Sequence, residues 1–65
     1  MKDFAERLTI YRRRAGLTQK QLSERSGIHY AQISKYENGD NIPTIATLEW
    51  LCKSLGVSSK DLLGF

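Results

Sequence analysis

The sequence contains few of the residues that form disulfides, metal centres and breaks in secondary structure. It has one cysteine, one proline and one histidine among 65 residues. A single cysteine excludes an intrachain disulfide and a zinc site built from cysteines, and we expect neither a metal nor a cofactor. Because a free cysteine fits a reducing compartment, we expect a cytoplasmic protein.

Long apolar stretches are also missing. None approaches the roughly 20 residues of a membrane-spanning helix, so we expect no membrane partner. Hydrophobic residues make up 40% of the chain, which suits one domain over residues 1–65, near the size at which stability becomes marginal. An enzyme is disfavoured, because so short a chain leaves little room for a catalytic pocket and Cys52 has the pattern of a core residue.

Charge is present in both signs but is unevenly distributed along the chain. The net charge is +3. Residues 1–35 carry eight basic and three acidic side chains, a net charge of +5, whereas residues 36–65 carry two basic and four acidic side chains, a net charge of −2. A basic half beside a mildly acidic half favours one face that meets a polyanion.

Apolar residues recur at helical spacing throughout, which predicts an all-α, compact five-helix fold. The first helix spans about residues 3–15 and ends at Gly16. The second follows Thr18, which can form a capping box with Gln21, and Gly27 supplies the positive φ of a tight turn. The third helix is expected to start near His29 and to end at Asn38-Gly39. The fourth is expected to start at Pro43-Thr44 and to end at Gly56, and Ser58 with Asp61 is expected to cap the fifth. The predicted core contains Phe4, Leu8, Tyr11, Ala15, Leu22, Ile33, Tyr36, Ile45, Leu48, Leu51, Cys52 and Leu55.

Residues 18–38 therefore read as two short helices joined by a tight turn. This motif and its flanks closely resemble the phage-repressor and Cro type of helix-turn-helix DNA-binding domain, also called the XRE-type family, which includes compact autoregulators such as restriction–modification controllers. The resemblance extends over residues 4–63. It rests on Arg12, Gly16-Leu17-Thr18-Gln19, Leu22, Gly27-Ile28, Ile33-Ser34, Glu37-Asn38-Gly39, Pro43-Thr44 and Leu55-Gly56-Val57-Ser58.

The resemblance implies a regulator of transcription that binds a (pseudo)palindromic double-stranded DNA operator as a homodimer. The second helix crosses the DNA backbone and the third lies in the major groove. Lys35 can donate to guanine O6 or N7, Ala31 can touch a thymine methyl group, and Tyr30 can reach a methyl group or a phosphate. The predicted base-reading residues are His29, Tyr30, Ala31, Ser34 and Lys35. The alternative for each is an exposed helix residue without a role.

Phosphate contacts are expected around the same helices. Gln19 lies beside the free N–H groups at the start of the second helix, a natural phosphate site. Gln32 either reaches the DNA backbone or caps its own helix, and Asp40 is expected to repel phosphate. Arg13 and Arg14 are open between DNA contact and the helix dipole. The predicted phosphate-contacting residues are Thr18, Gln19, Gln32, Asn38 and Thr44.

His29 departs from the resemblance, because such domains usually carry serine or threonine there as a helix cap. An imidazole is a poorer cap, by ~1 kcal/mol relative to serine. We therefore interpret His29 as a DNA contact instead. If the ring protonates against a phosphate, binding would strengthen below about pH 6.5.

Arg12 and Glu37 are expected to pair, because residues at these positions pair across the first and third helices in the domains that this chain resembles. An arginine fork on a carboxylate is bidentate and can set the angle of the reading helix. The alternative is two solvated surface charges.

A second surface is predicted at Trp50, which points away from the core positions of the fourth helix and suits an interface anchor. Ser59, Leu62 and Phe65 are expected to extend it, and Ile10 is a weaker candidate. Related domains self-associate through this region. The alternative is a tryptophan folded over its own helix.

A different function also stays open, namely a protein-interaction module or antitoxin-like protein that binds a protein partner with the same fold.

Overall fold

The computed structural model describes residues 2–65 and shows five α-helices, so the predicted all-α, five-helix architecture is confirmed. The helices are α1 (Lys2–Arg14), α2 (Gln19–Ser26), α3 (Tyr30–Glu37), α4 (Ile45–Leu55) and α5 (Ser59–Leu63). The local signals act as expected. Thr18 and Gln21 form the predicted capping box, in which the Thr18 hydroxyl accepts from the Gln21 N–H at 3.1 Å and the Gln21 carbonyl accepts from the Thr18 N–H at 2.9 Å. Ser58 and Asp61 form the second box.

The core lies where α1 packs against α3 and α5, and α2 packs against α3 and α4. Phe4 and Tyr36 meet edge to face at its centre, with ring centroids 5.9 Å apart and planes at 79°. This arrangement is the one that aromatic quadrupoles favour. The buried apolar cluster consists of Phe4, Leu8, Leu22, Ile28, Ile33, Tyr36, Leu48, Leu51 and Leu62.

Two residues predicted to be buried are exposed. Ala15 follows the last residue of α1, so helical spacing no longer determines which way it points. Ile45 is the first residue of α4 and is 77% exposed. Its spacing matches that of Leu48, but the first turn of α4 extends beyond the core. Cys52 is only partly buried at the margin of the cluster.

Leu62 corrects the prediction for the second surface. It is fully buried in the core and therefore cannot anchor an interface. The error arises because α5 has only five residues, too few for apolar periodicity to define its inner face. Its packing against α1 determines that face, and α1 is distant in the sequence.

The turn between α2 and α3 is held by side chains as well as by Gly27. Gly27 has φ +77° and its N–H donates to the Ser23 carbonyl at 2.9 Å, the left-handed helix end that glycine adopts without strain. The Ser23 hydroxyl donates to the Ile28 carbonyl at 2.5 Å. The Ser26 hydroxyl accepts from the Ile28 N–H at 3.2 Å. These bonds fix the entry of the chain into α3.

Arg12 and Glu37 form a bidentate ion pair between α1 and the last residue of α3. Arg12 Nε donates to Glu37 Oε2 at 2.6 Å and Arg12 Nη2 donates to Glu37 Oε1 at 2.9 Å. The side chains are only 10% and 5% exposed. Arg12 Nη1 also donates to the Leu17 carbonyl at 2.8 Å, so the pair spans the chain segment that leads into α2.

Gln19 completes this network, because its Nε2 donates to Glu37 Oε1 at 3.0 Å. Burial raises the pKa of the Glu37 carboxyl. Hydrogen bonds from Arg12 and Gln19 and the charge of Arg12 outweigh burial, so the pKa lies below its ordinary value. The hydrogen bond with Glu37 raises the pKa of the Arg12 guanidinium despite burial, which lowers it. Both groups are therefore charged in the folded protein.

Glu37→Ala is expected to lower the free energy of unfolding by about 3 kcal/mol, because it leaves the buried Arg12 charge without its partner. Chemical denaturation of the variant and the wild type measures the difference. Glu24→Ala, which removes an exposed carboxylate from α2, is the matched control and should change stability by less than about 0.5 kcal/mol. An unchanged unfolding midpoint for Glu37→Ala would contradict the structural role of the pair.

The lowered pKa of Glu37 predicts a loss of stability in acid. The unfolded chain binds the proton more tightly than the folded one, so the contribution is complete above the ordinary carboxyl value of 4.5 and is lost as pH falls through the lower, folded value. Thermal melts across the acid range should show this loss for the wild type and a flatter dependence for Glu37→Gln. Parallel curves would mean that other carboxylates account for acid denaturation.

Candidate nucleic-acid interface

The outer face of α3 carries polar and small side chains, opposite the two residues that the helix buries. Ile33 and Tyr36 face the core. Helical geometry directs Ala31, Ser34 and Lys35 to the opposite side, where Ala31 and Lys35 are exposed and Ser34 is half-buried. The structure therefore brings these three predicted base-reading residues together on one accessible strip.

His29 lies at the start of this strip and corrects one interpretation. We expected it to contact DNA instead of capping the helix, but it is the N-cap of α3, and its Nδ1 accepts from the Ala31 N–H at 3.1 Å. The ring is exposed, so capping leaves its other edge accessible. A protonated ring has no acceptor nitrogen, so the charge that would favour a phosphate contact would also remove the cap. Tyr30, the first residue of α3, is exposed beside it.

The predicted phosphate contacts lie at both ends of the motif. Gln19 is half-buried at the start of α2, with one N–H of its amide committed to Glu37 and the other free to donate. Thr18 precedes it as the exposed cap of α2. The bond from Gln19 to Glu37 escaped the sequence analysis, because the two residues are 18 positions apart and no local pattern links them.

The far end of α3 supplies the other candidates. Asn38 is its exposed C-cap, and Thr44 caps α4 by accepting from the Thr47 N–H at 3.2 Å. Gln32 is half-buried, and among residues 2–65 its side chain adds no hydrogen bond to the cap that His29 forms. This geometry leaves the Gln32 amide available to a ligand. Asp40 is exposed in the loop between α3 and α4, where its negative charge would repel a polyanion.

The three arginines at the end of α1 make different contacts. The Arg14 guanidinium lies over the Tyr11 ring, 5.3 Å from its centroid, a cation–π contact that holds the side chain on its own helix. Arg13 is exposed. Arg12 is committed to Glu37. The three consecutive arginines therefore have three different environments.

The second surface retains Trp50, which is 54% exposed on α4, and Phe65, which is 79% exposed. Ser59 is exposed on α5. Ile10 is also exposed, on α1. Ile42 is an exposed apolar residue that the sequence analysis did not single out, since it lies in the loop before α4, where no periodicity applies.

Other chemistry is poorly supported by the part of the chain that the structure describes. Residues 2–65 contain no cluster of side chains suited to holding a metal ion, and none of their helices is long and apolar enough to cross a membrane. Burial, with Asp61 and Glu49 nearby, raises the pKa of the Cys52 thiol, which disfavours the reactive thiolate.

Comparison with known proteins agrees with this geometry. A family model described as helix-turn-helix matches residues 8–62. The chain is 42% identical over 52 residues to the uncharacterized HTH-type transcriptional regulator y4dJ of Sinorhizobium fredii, a match that covers 80% of this chain and 68% of that protein. It is 39% identical over 59 residues to the control protein C.SmaI of Serratia marcescens, covering 91% of this chain and 70% of that protein.

The fold is also found in a solved structure. The restriction-modification controller protein C.AhdI from Aeromonas hydrophila superposes with a TM-score of 0.89 over 94% of this chain and 92% of that one, at 24% identity. At this identity the likeness concerns the fold, and it confirms the predicted five-helix architecture. Together with the family match over most of the chain, these findings confirm the resemblance on which the predictions were based. The chain therefore belongs to the helix-turn-helix family of the phage-repressor and Cro type and is a DNA-binding transcriptional regulator, not an enzyme.

Proposed function

We propose that this regulator binds a (pseudo)palindromic double-stranded operator as a homodimer, with α3 of each protomer in the major groove. The observation that carries the proposal is the accessible polar strip of α3 on a helix whose opposite face and last residue are fixed by the core and by the ion pair. A helix of this kind can enter the groove without changing its orientation in the domain.

Base readout is assigned to the strip. Lys35 is exposed in the last turn of α3 and can donate to guanine O6 or N7. Ala31 permits close approach to a thymine methyl group, and Ser34 can donate or accept between them. Tyr30 offers a ring and a hydroxyl at the edge of the strip. His29 contributes from the start of the helix.

Phosphate contacts are assigned to the flanks of the motif. The network through Glu37 supports this role for Gln19, because its amide is held in one orientation before DNA arrives and loses little conformational freedom on binding. Asn38 and Thr44 are exposed on the far side of the strip. The full set is Thr18, Gln19, Gln32, Asn38 and Thr44.

Lys35→Ala is expected to weaken operator binding about tenfold or more and to relax the base preference at one position of each half-site. Selection of bound duplexes from random DNA, followed by titration at fixed salt, measures both effects. Lys60→Ala is the matched control, because it removes an exposed lysine from α5, which packs against α1 and α4. If the wild type selects no sequence and its retention on DNA is insensitive to salt, the protein-interaction alternative is favoured.

Homodimerisation is proposed through the second surface, now reduced to Trp50, Ser59 and Phe65. Trp50 and Phe65 are large exposed aromatic side chains outside the helix-turn-helix motif, and such residues suit a buried interface. Since the core is small, association would also add stability. A symmetric pair would present two reading helices about 34 Å apart, one turn of DNA.

Trp50→Ala is expected to raise the dimer dissociation constant roughly thirtyfold, the effect of losing an interface residue worth about 2 kcal/mol. Sedimentation equilibrium measures it. Ile10→Ala is the comparison, because it truncates the exposed apolar residue of α1 that is the weaker interface candidate, and it should raise the dissociation constant less than Trp50→Ala. A wild type that stays monomeric at high concentration would refute this dimer surface without refuting DNA binding.

A further inference from the structure

The cap of α3 determines which nitrogen of His29 carries a hydrogen. Nδ1 accepts the Ala31 N–H at 3.1 Å, so it must present a lone pair. A neutral imidazole with a lone pair on Nδ1 carries its hydrogen on Nε2. The backbone of His29 is fixed as well, because its carbonyl accepts from the Gln32 and Ile33 N–H groups at 2.9 and 3.1 Å. The exposed ring therefore offers a donor, at Nε2, on its outer edge.

We propose that the capping geometry makes His29 donate a hydrogen bond from Nε2–H to an acceptor on the DNA, an inference that rests on the proposed entry of α3 into the major groove. The Nε2–H group suits guanine O6 or N7, adenine N7, thymine O4 or a phosphate oxygen. It cannot pair with the exocyclic amines of cytosine or adenine, which are donors themselves.

The cap restricts the outer nitrogen of His29 to the role of a hydrogen-bond donor. Moving the hydrogen to Nδ1 would turn the acceptor into a donor that opposes the Ala31 N–H, leaving that group without its partner. Protonation of the ring has the same consequence. A serine or threonine cap satisfies the helix but is too short to present a second group outward. The histidine performs both tasks, because its two nitrogens lie on different edges of one rigid ring.

The tautomer can be measured in the free protein. His29 is the one histidine of the chain, so a long-range ¹H–¹⁵N spectrum at about pH 8 reports on it without ambiguity. The same chain unfolded in urea supplies the preference of the ring without the cap. We expect folding to shift the ratio of Nε2–H to Nδ1–H about tenfold towards Nε2–H, the equivalent of one helix N-cap bond. An equal ratio in both states would overturn the proposal.

The contact is tested with two variants on DNA. His29→Ser keeps a cap and removes the Nε2 donor, whereas His29→Ala removes both. His29→Ser should keep or raise the melting temperature of the wild type, because serine is the better cap, yet bind the selected operator about fivefold more weakly per half-site, the effect of one hydrogen bond. His29→Ala should show the same loss of affinity with a lower melting temperature.

The arms of the experiment separate the two sources of the acceptor. Equal losses on operator and random duplexes identify a phosphate oxygen. A loss confined to the operator, together with a relaxed preference at one base pair, identifies a base edge, and 7-deazaguanine or 7-deazaadenine at that pair then tests N7. Either result supports the proposal.

Two outcomes of the DNA experiment would also overturn it, and they differ in what else they imply. Identical affinity and identical selected sequences for His29→Ser and the wild type would remove the contact while leaving the proposed function intact. Failure of the wild type to select any duplex would remove the contact and the proposed operator binding together. The tautomer measured in the free protein would then describe only the helix cap.

Discussion

The buried ion pair between Arg12 and Glu37 is the interaction on which the rest of the structure depends. Three helices meet at one carboxylate, since Arg12 belongs to α1, Glu37 ends α3 and Gln19 begins α2. The Glu37 side chain is only 5% exposed. Because all three polar partners are satisfied at short distances, any rotation of α3 relative to α1 or α2 would leave a charge or an amide unpaired.

This constraint explains how so short a helix can act as a rigid element. An isolated helix of the eight residues in α3 would not be stable in water. Here its ends are fixed at His29 and Glu37, and Ile33 and Tyr36 hold its inner face in the core. Contacts made by other residues of α3 therefore set the orientation of the outer strip formed by Ala31, Ser34 and Lys35. The exposed residues of this strip can therefore vary without loss of the fold.

The size of the core also determines which apolar side chains remain exposed. α5 contributes Leu62 to the core, so the inner face of the short last helix closes the domain. The apolar residues that remain exposed include Trp50 on α4 and Phe65, besides Ile10, Ile42 and Ile45. In a domain of this size, the residues available for association are those that the core has no room to bury.

The sequence by itself determined the helices, the capping boxes at Thr18 and Ser58 and the turn at Gly27, because these depend on residues within one or two turns of each other. It also determined the family and, through it, the pairing of Arg12 with Glu37. Only the tertiary structure decided that Gln19 joins that pair, that Leu62 is buried and that Ile45 is exposed. Each of these depends on how distant helices pack, and local periodicity has no information about the partner that a helix face will meet.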